Sequence, residues 1–188
     1  MKNIIVGATG ASGLPLLIKV LEILRDTEDV RATLIMTDSA ALTCEYETGM
    51  KEIAVKELAD EFFEIGNIAA GPASGSYPSD GMLIVPCSMK TLAGIHSGYA
   101  ENLLLRAADV TIKEKRPLVL CVRENPLSPI HLRNMQELSM LPGVHIMPPM
   151  MSFYQKPETI DDMVYQVAAR LLTPFGINAE GRIRWNGM

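Results

Sequence analysis

The amino-terminal stretch 1–13 constrains the fold of this chain more than any other part of its sequence. An apolar run at Ile4–Val6 predicts a β-strand, and apolar residues at helical spacing begin at Leu14. Between the two lies a loop with glycine at every third position, namely Gly7, Gly10 and Gly13. Unpaired N–H groups at a helix start attract anions, and the hydroxyls of Thr9 and Ser12 add donors, so this loop could hold a phosphate. Its G-x-x-G-x-x-G spacing fits neither the dinucleotide-binding pattern nor the P-loop. The alternative to a phosphate site is a tight strand-to-helix turn that needs small residues for packing.

The composition excludes several classes of protein. The chain has 188 residues, of which 48% are hydrophobic, and this suits one α/β domain spanning 1–188. A net charge of −5 without a basic run argues against nucleic acid or an anionic membrane as a partner. Three cysteines without C-x-x-C spacing favour a reducing compartment, and three histidines without ligand spacing predict no metal site. With no signal peptide and no membrane-spanning run, we expect a soluble cytoplasmic protein.

Strand and helix patterns alternate along the rest of the chain. Strands are predicted at 30–36, 82–85, 117–122 and 144–147. Helices are predicted at 14–25, 40–49, 51–60 and 101–115, and three more helices are expected to end near 98, to begin at 129 and to begin at 160. Thr37, Ser128 and Thr159 are candidate helix caps, the last forming a capping box with Asp162. This alternation indicates βαβ units and a parallel sheet with both faces covered. The segment 66–81 is rich in turn-forming residues and is predicted to be a loop, either functional or a surface excursion.

Polar residues recur where the predicted strands end. They are Thr9 and Ser12, Thr37, Ser88–Thr91, Arg123 and Glu124, and the pair Phe153–Tyr154. Ligands of open parallel sheets bind at the carboxyl ends of the strands, which share one edge. We therefore expect these residues to form one site.

Five segments of the sequence carry a family resemblance. They are GATGASG at 7–13, PCSMKTLAGI at 86–95, RAADVTIKEKRPLVLCVRE at 106–124, PLSPIHLRNM at 126–135 and RWNG at 184–187. In this combination and order, which covers the whole chain, the sequence resembles the UbiX-type flavin prenyltransferases. That group includes proteins described as B subunits of phenolic acid decarboxylases. The resemblance implies a single doubly wound, Rossmann-like or flavodoxin-like α/β domain.

The resemblance also implies a reaction. Members of this family join the dimethylallyl group of dimethylallyl phosphate to N5 and C6 of reduced FMN, without a metal, and the prenylated FMN serves a UbiD-type decarboxylase. Family members are homo-oligomers, often dodecamers, so the tail at about 176–188 is expected to pack on a neighbouring subunit. Whether the donor is the monophosphate or the pyrophosphate, and which decarboxylase is served, stay open.

Each functional role that the family assigns has a matching residue in this chain. The positions that match FMN-binding residues are Gly10, Ala11, Ser12, Thr37, Ser88, Met89, Lys90, Thr91 and Arg123. The catalytic positions match Ser12, Glu47 and Glu124: Glu124 with Ser12 is associated with protonation of the leaving phosphate, and Glu47 with proton handling at the flavin.

The prenyl donor has its own set of matching positions. Arg106, Lys113, Tyr154 and Arg170 match residues that hold the donor's phosphate. Trp185 matches a residue that walls the prenyl site. The sequence departs from the family at Met150–Ser152, where smaller residues are usual before the Phe-Tyr pair, and the bulkier methionines leave the preferred donor open.

Other functions stay possible at this point. Asp38 stands just after the second strand, where a nicotinamide-dependent oxidoreductase would hold a ribose, although the G-x-G core and a Tyr-x-x-x-Lys proton donor are missing. A non-catalytic flavin-binding subunit of an aromatic acid decarboxylase would share the fold. A phosphopantothenoylcysteine-decarboxylase-like flavoprotein would also share it, but its Pro-x-x-Asn-x-x-Met-Trp motif is absent.

Overall fold

Six parallel strands form the sheet at the centre of the molecule. The structure, a computed structural model, describes residues 1–185 and 187. The strands are β1 (Lys2–Ala8), β2 (Val30–Met36), β3 (Glu61–Glu64), β4 (Gly81–Cys87), β5 (Leu118–Val122) and β6 (Val144–Ile146). Their order across the sheet is β3-β2-β1-β4-β5-β6, and every neighbouring pair is parallel. The order reverses between β1 and β4, so the predicted doubly wound sheet is confirmed and its switch point lies at the middle.

Helices cover both faces of this sheet. They are α1 (Leu14–Arg25), α2 (Asp38–Thr48), α3 (Glu52–Lys56), α4 (Met89–His96), α5 (Leu103–Lys113), α6 (Pro129–Ser139) and α7 (Ile160–Leu171), with short 3₁₀ turns at Gly71–Ala73 and Thr173–Phe175. Buried residues of α1, α2, α3 and α7 share one hydrophobic core. Those of α4, α5 and α6 share a second core on the opposite face.

The central strands alternate between the two cores. In β4, Leu83 and Val85 belong to the core beneath α1 and α7, whereas Met82 and Ile84 belong to the core beneath α4 and α5. All seven residues of this strand are buried. The continuous apolar runs in the sequence are therefore explained by burial on both sides, as parallel sheets require.

Side-chain caps begin several helices as the sequence predicts. Thr37 accepts a hydrogen bond from the N–H of Ala40 at the start of α2, and Ser128 caps α6. At the start of α7, Thr159 and Asp162 form the reciprocal capping box. These caps fix where each helix leaves the sheet edge.

The helix predicted over 51–60 is present but shorter than predicted. The helix α3 ends at Lys56, and the strand β3 follows at Glu61–Glu64. This strand is at the edge of the sheet and pairs only with β2, and its four residues are partly or fully exposed. An edge strand with two acids around two phenylalanines lacks the apolar pattern that identifies a buried strand, so its sequence gives little signal.

The loop at 66–81 is an ordered crossover from β3 to β4. The guanidinium of Arg116 donates to the carbonyl oxygens of Gly75 and Tyr77 and to Oγ of Ser79, at 2.8–3.0 Å. These bonds attach the loop to the region between α5 and β5. The segment thus replaces a crossover helix and carries the chain back to the amino edge of the sheet.

Candidate active site

Thr9 joins the ends of β1 and β4 at the switch point. Its hydroxyl donates to the carbonyl oxygen of Pro86 at 2.7 Å and accepts from the N–H of Ser88 at 2.9 Å. The side chain is only 2% exposed. The sequence suggested that this hydroxyl would face a ligand, but it is used within the protein, so Thr9 sets the spacing of the two loops.

A cavity of about 360 Å³ opens beside this junction, and we call it the switch-point cavity. It is lined by Thr9, Gly10, Thr37, Asp38, Ser39, Ile65, Ser88, Lys90, Thr91, Asn102 and Leu105. Five of these were predicted FMN contacts, and Ala11, Ser12 and Met89 adjoin them in the chain. A Cβ atom on Gly10 would lie 2.7 Å from Cβ of Ser39, so glycine is required for the loop to pass here.

The start of α4 supplies open hydrogen-bond donors to this cavity. Ser88 caps the helix by accepting from the N–H of Thr91 at 3.3 Å. In the described part of the chain, the N–H groups of Met89 and Lys90 have no acceptor. Such groups at a helix start bind phosphate. The ammonium group of Lys90 adds positive charge, and its one ion pair with the described residues is a long one, to Glu101 at 3.9 Å.

The start of α1 is occupied by a carboxylate of the protein itself. Glu47, in the last turn of α2, accepts from the N–H of Gly13 at 3.0 Å and from that of Leu14 at 2.9 Å. Pro15 follows and has no N–H to offer. The donors that made the amino-terminal loop a candidate phosphate site are therefore used by Glu47, and the start of α4 is the better phosphate site.

The surroundings of Glu47 keep its carboxylate ionised. Partial burial alone would raise its pKa, but hydrogen bonds from Ser12, Gly13 and Leu14 and the nearby charge of Arg123 outweigh that effect. The pKa of Glu47 is therefore lower than the ordinary value of 4.5. The structure thus brings together Ser12, Glu47 and Arg123, three of the predicted site residues.

Replacing Glu47 by alanine is expected to lower the free energy of unfolding by about 1–2 kcal/mol, because two N–H groups lose their cap. Urea denaturation measures this, and Glu45→Ala, on the exposed side of the same helix, should change it by less than about 0.5 kcal/mol. Because the pKa of Glu47 is lower in the folded than in the unfolded protein, its ionised carboxylate stabilises the fold at pH values above the unfolded pKa, near 4.5. This stabilisation is lost as the pH falls through the pKa that Glu47 has in the folded protein. The difference between wild type and Glu47→Ala should therefore shrink in acid, and a constant difference would contradict the assignment.

Arg123 and Glu124 follow directly after β5. The N–H of Arg123 donates to the carbonyl oxygen of Cys87, which fixes the strand end beside β4. Glu124 is exposed, and its carboxylate accepts from the N–H of Asn125 at 3.0 Å. Both side chains lie at the carboxyl edge, as predicted, with Glu124 free to reach a ligand.

A second cavity, of about 140 Å³, lies beside β6 and α7, and we call it the arginine cavity. It is lined by Met147, Pro148, Met150, Ser152, Tyr154, Gln155, Gln166, Val167, Arg170, Leu171, Arg182 and Ile183. The ring of Trp185 packs edge-on against that of Tyr154, with centroids 5.4 Å apart. Three predicted donor-site residues, Tyr154, Arg170 and Trp185, are thus brought together. No described residue lines both this cavity and the switch-point cavity.

Two further predicted phosphate ligands lie elsewhere in the subunit. Arg106 donates to the carbonyl oxygen of Ala73 and pairs with Asp109. Lys113 is the last residue of α5, at the amino edge of the sheet, where it pairs with Glu114. One subunit therefore does not join them to Tyr154 and Arg170, and their role in phosphate binding stays a prediction that requires a neighbouring subunit.

The tail packs on its own subunit over most of its described length. The hydroxyl of Tyr165 donates to the carbonyl oxygen of Glu180, and the side chain of Gln166 bonds to Gly181 and Ile183. The sequence predicts that the tail from about 176 packs on a neighbouring subunit, and a contact of its last residues with a neighbour stays a prediction. Within the tail, Asn186 and Met188 lie outside the described residues.

Arg182 is the functional candidate that sequence reasoning missed. Partial burial and the positive charges of Arg170 and Arg184 lower its pKa. The run Arg182-Ile183-Arg184-Trp185, with two arginines before an aromatic residue, was the available signal. Ser39 and Asn102, two polar residues that line the switch-point cavity, were also missed, whereas the sequence indicated Asp38 only as a ribose ligand of a nicotinamide site.

All three cysteines are free and buried, and burial raises the pKa of each thiol. Burial raises the pKa of the Cys121 thiol to about 12, and burial with Cys121 nearby raises that of Cys87 further. The described residues contain no group of three or more His, Cys, Asp or Glu side chains that could hold a metal. Across the same part of the chain, no helix has both the length and the apolar character that a membrane span requires.

Comparison with known proteins agrees with this geometry. The Flavoprotein family model matches residues 1–172. A probable UbiX-like flavin prenyltransferase of Streptomyces sp. (strain D7) is 50% identical over 186 residues, which cover 99% of this chain and 92% of that protein.

Two solved structures have nearly the same fold. The dodecameric FMN-dependent UbiX-like decarboxylase from Escherichia coli O157:H7 has a TM-score of 0.96 at 49% identity, covering 98% of this chain and 100% of its own. AnUbiX (PadA1), in complex with FMN and dimethylallyl pyrophosphate, has a TM-score of 0.96 at 46% identity, covering 100% of this chain and 98% of its own. The resemblance carried by the five sequence segments is confirmed over the whole chain, which belongs to the Flavoprotein family and, within it, to the UbiX-like flavin prenyltransferases.

Proposed function

We propose that this protein is a flavin prenyltransferase that joins the dimethylallyl group of dimethylallyl phosphate to N5 and C6 of reduced FMN. One observation carries the proposal: a relative that is 46% identical over the whole chain holds FMN and dimethylallyl pyrophosphate together. The chain has two cavities whose lining residues suit these two molecules. The first offers hydroxyls and helix-start N–H groups, and the second offers arginines and a phenol.

The switch-point cavity would hold FMN. The N–H groups of Met89 and Lys90 suit the phosphate of the flavin, because both lack an acceptor among the described residues. A volume of about 360 Å³ lies within the usual range of ligand pockets, roughly 300–1,000 Å³. Gly10 lets the first loop approach the ligand, and Thr37 also lines the cavity. Asp38, on which the nicotinamide alternative depended, lines this same cavity.

Different side chains of the protein would have different roles in the reaction. Bound reduced flavin supplies the nucleophile, and the carbon–oxygen bond of the donor breaks as the new bond to N5 forms, with the electron pair leaving on the phosphate. Tyr154 and Arg170 would stabilise the charge that accumulates on that phosphate. Glu124 would give it a proton. Glu47, kept ionised by Ser12 and two backbone N–H groups, would accept a proton rather than donate one.

The complete site would form between subunits of a homo-oligomer. Three facts support this: no described residue lines both cavities, Arg106 and Lys113 lie apart from Tyr154 and Arg170, and a relative 49% identical to this chain is dodecameric. Residues 1–188 would then be a single domain, with Trp185 walling the prenyl group near a subunit contact. The prenylated FMN would pass to a UbiD-type decarboxylase, in the cytoplasm, where the three free cysteines are stable.

Anaerobic incubation with reduced FMN and dimethylallyl phosphate, followed by mass spectrometry of the released flavin, tests the proposal. A mass gain of one five-carbon prenyl unit is expected, and oxidised FMN under the same conditions should gain none. Flavin that co-purifies and never gains mass with either the phosphate or the diphosphate donor would make the protein a flavin carrier instead. Sedimentation of the same preparation tests the assembly, which a purely monomeric species would contradict.

A further inference from the structure

Arg182 has a place in the arginine cavity that neither its sequence signal nor the family resemblance assigns. It lines the cavity together with Tyr154 and Arg170. The side chain of Gln166 holds the backbone on either side of it: Nε2 donates to the carbonyl oxygen of Gly181 at 3.1 Å, and Oε1 accepts from the N–H of Ile183 at 3.0 Å. These two bonds fix the segment against α7. The fold therefore positions the backbone that carries Arg182, and the side chain of Arg182 lines the cavity.

The charge around Arg182 is unbalanced. Partial burial lowers the pKa of Arg182, and the nearby positive charges of Arg170 and Arg184 lower it further. No carboxylate of the described residues forms an ion pair with any of these three arginines, and Arg170 donates only to Oγ1 of its neighbour Thr173. Of the three, only Arg170 and Arg182 line the cavity, and because these two like charges repel one another, an anion bound between them would be stabilised. The cavity is several times larger than the roughly 30 Å³ share of one water molecule, which leaves room for a phosphate group.

We propose that Arg182 binds the terminal phosphate of a prenyl diphosphate and makes the diphosphate the preferred donor over the monophosphate. The inference rests on the proposed transfer of a dimethylallyl group to reduced FMN, and it changes the preferred donor of that reaction from the monophosphate to the diphosphate. Tyr154 and Arg170 already suit one phosphate, which carries about −1.5 to −2 charges near neutral pH, and a diphosphate adds about one more. Arg182 is the second cation that lines the cavity, and its positive charge matches that extra negative charge. In the transfer step, the electron pair of the broken carbon–oxygen bond leaves on the diphosphate.

The binding of inorganic pyrophosphate and inorganic phosphate tests this without any flavin chemistry. Isothermal titration of the full-length protein should show tighter binding of pyrophosphate. Arg182→Gln should weaken pyrophosphate binding roughly tenfold to a hundredfold, the effect of one lost charge-assisted hydrogen bond, and weaken phosphate binding less than about threefold. Arg182→Lys should restore part of the affinity, since it keeps the charge but not the planar fork.

Arg184→Gln is the matched control. It removes the same charge two residues further along, but the guanidinium of Arg184 donates to Oδ1 of Asn178 at 2.6 Å and does not line the cavity. It should change pyrophosphate binding less than about threefold. An equal loss for both anions in Arg182→Gln, or no loss, would overturn the proposal; a change in oligomeric state with unchanged anion binding would also overturn it and assign Arg182 to a subunit contact.

Measurements of turnover distinguish a failure of this inference from a failure of the proposed function on which it rests. With active protein, the ratio of kcat/KM for the diphosphate donor to that for the monophosphate donor should fall at least tenfold in Arg182→Gln. If wild-type protein prenylates FMN with neither donor, the proposed function fails, while the titrations still decide whether Arg182 recognises a second phosphate.

Discussion

Glu124→Gln is expected to lower the rate of prenyl transfer by a factor of roughly 10²–10⁴, the range that a general acid contributes. Glu124 follows β5 at the carboxyl edge, is exposed, and accepts one hydrogen bond, from the N–H of Asn125. Glutamine has the same size and can still accept that bond, but it has no proton to give to a leaving phosphate. Single-turnover mass spectrometry of the flavin under anaerobic conditions measures the rate of the chemical step directly.

Two controls separate this chemical role from a structural one. Glu57→Gln, at the exposed end of α3, removes one carboxylate of the same kind and should leave the rate within about twofold. Glu124→Gln itself should still bind FMN normally, because Glu124 is not among the described residues that line the switch-point cavity. A variant that transfers the prenyl group within threefold of the wild-type rate would show that the proton comes from another group.

The fold was predictable from the sequence wherever burial or local capping determines it. The helix α1 and the strand β2 have the bounds that apolar periodicity predicted, because each packs its pattern against a core. Thr159 with Asp162 was predictable because a capping box involves residues only three apart. The strand β3 was missed because its stability comes from pairing with β2 at the sheet edge and not from a pattern of its own.

The candidate site was predictable only in part, because several of its contacts depend on the packing of elements that are distant in the sequence. Topology brings the ends of β1 and β4 together, so the grouping of Gly10 with Ser88 follows from the order of strands. The contact of Glu47 with Gly13 joins residues 34 apart. It depends on α2 lying across the carboxyl edge, which no local pattern reveals. The sequence likewise could not show that α5 carries Lys113 to the amino edge, away from Tyr154.

Arg170→Gln is expected to lower kcat/KM for prenyl transfer by a factor of about 10²–10³, the usual loss when one group that stabilises developing charge is removed. Arg170 lines the arginine cavity, and its Nη1 donates to Oγ1 of Thr173 at 2.7 Å, which holds the guanidinium group in place. The loss should appear with both the phosphate and the diphosphate donor, because the phosphate next to the breaking bond is common to them. Arg170→Lys should recover part of the activity, since it keeps the charge but not the planar fork.

Arg25→Gln provides the matched control for Arg170→Gln. Both arginines stand in the last turn of a twelve-residue helix, so both substitutions remove a similar interaction with the helix dipole. Arg25 pairs only with its neighbour Asp26 among the described residues, at 3.6 Å, and lines neither cavity. Its substitution should leave kcat/KM within about twofold. If the two variants lose activity equally, the effect of Arg170 comes from helix stability, and the donor's phosphate must be stabilised by other residues.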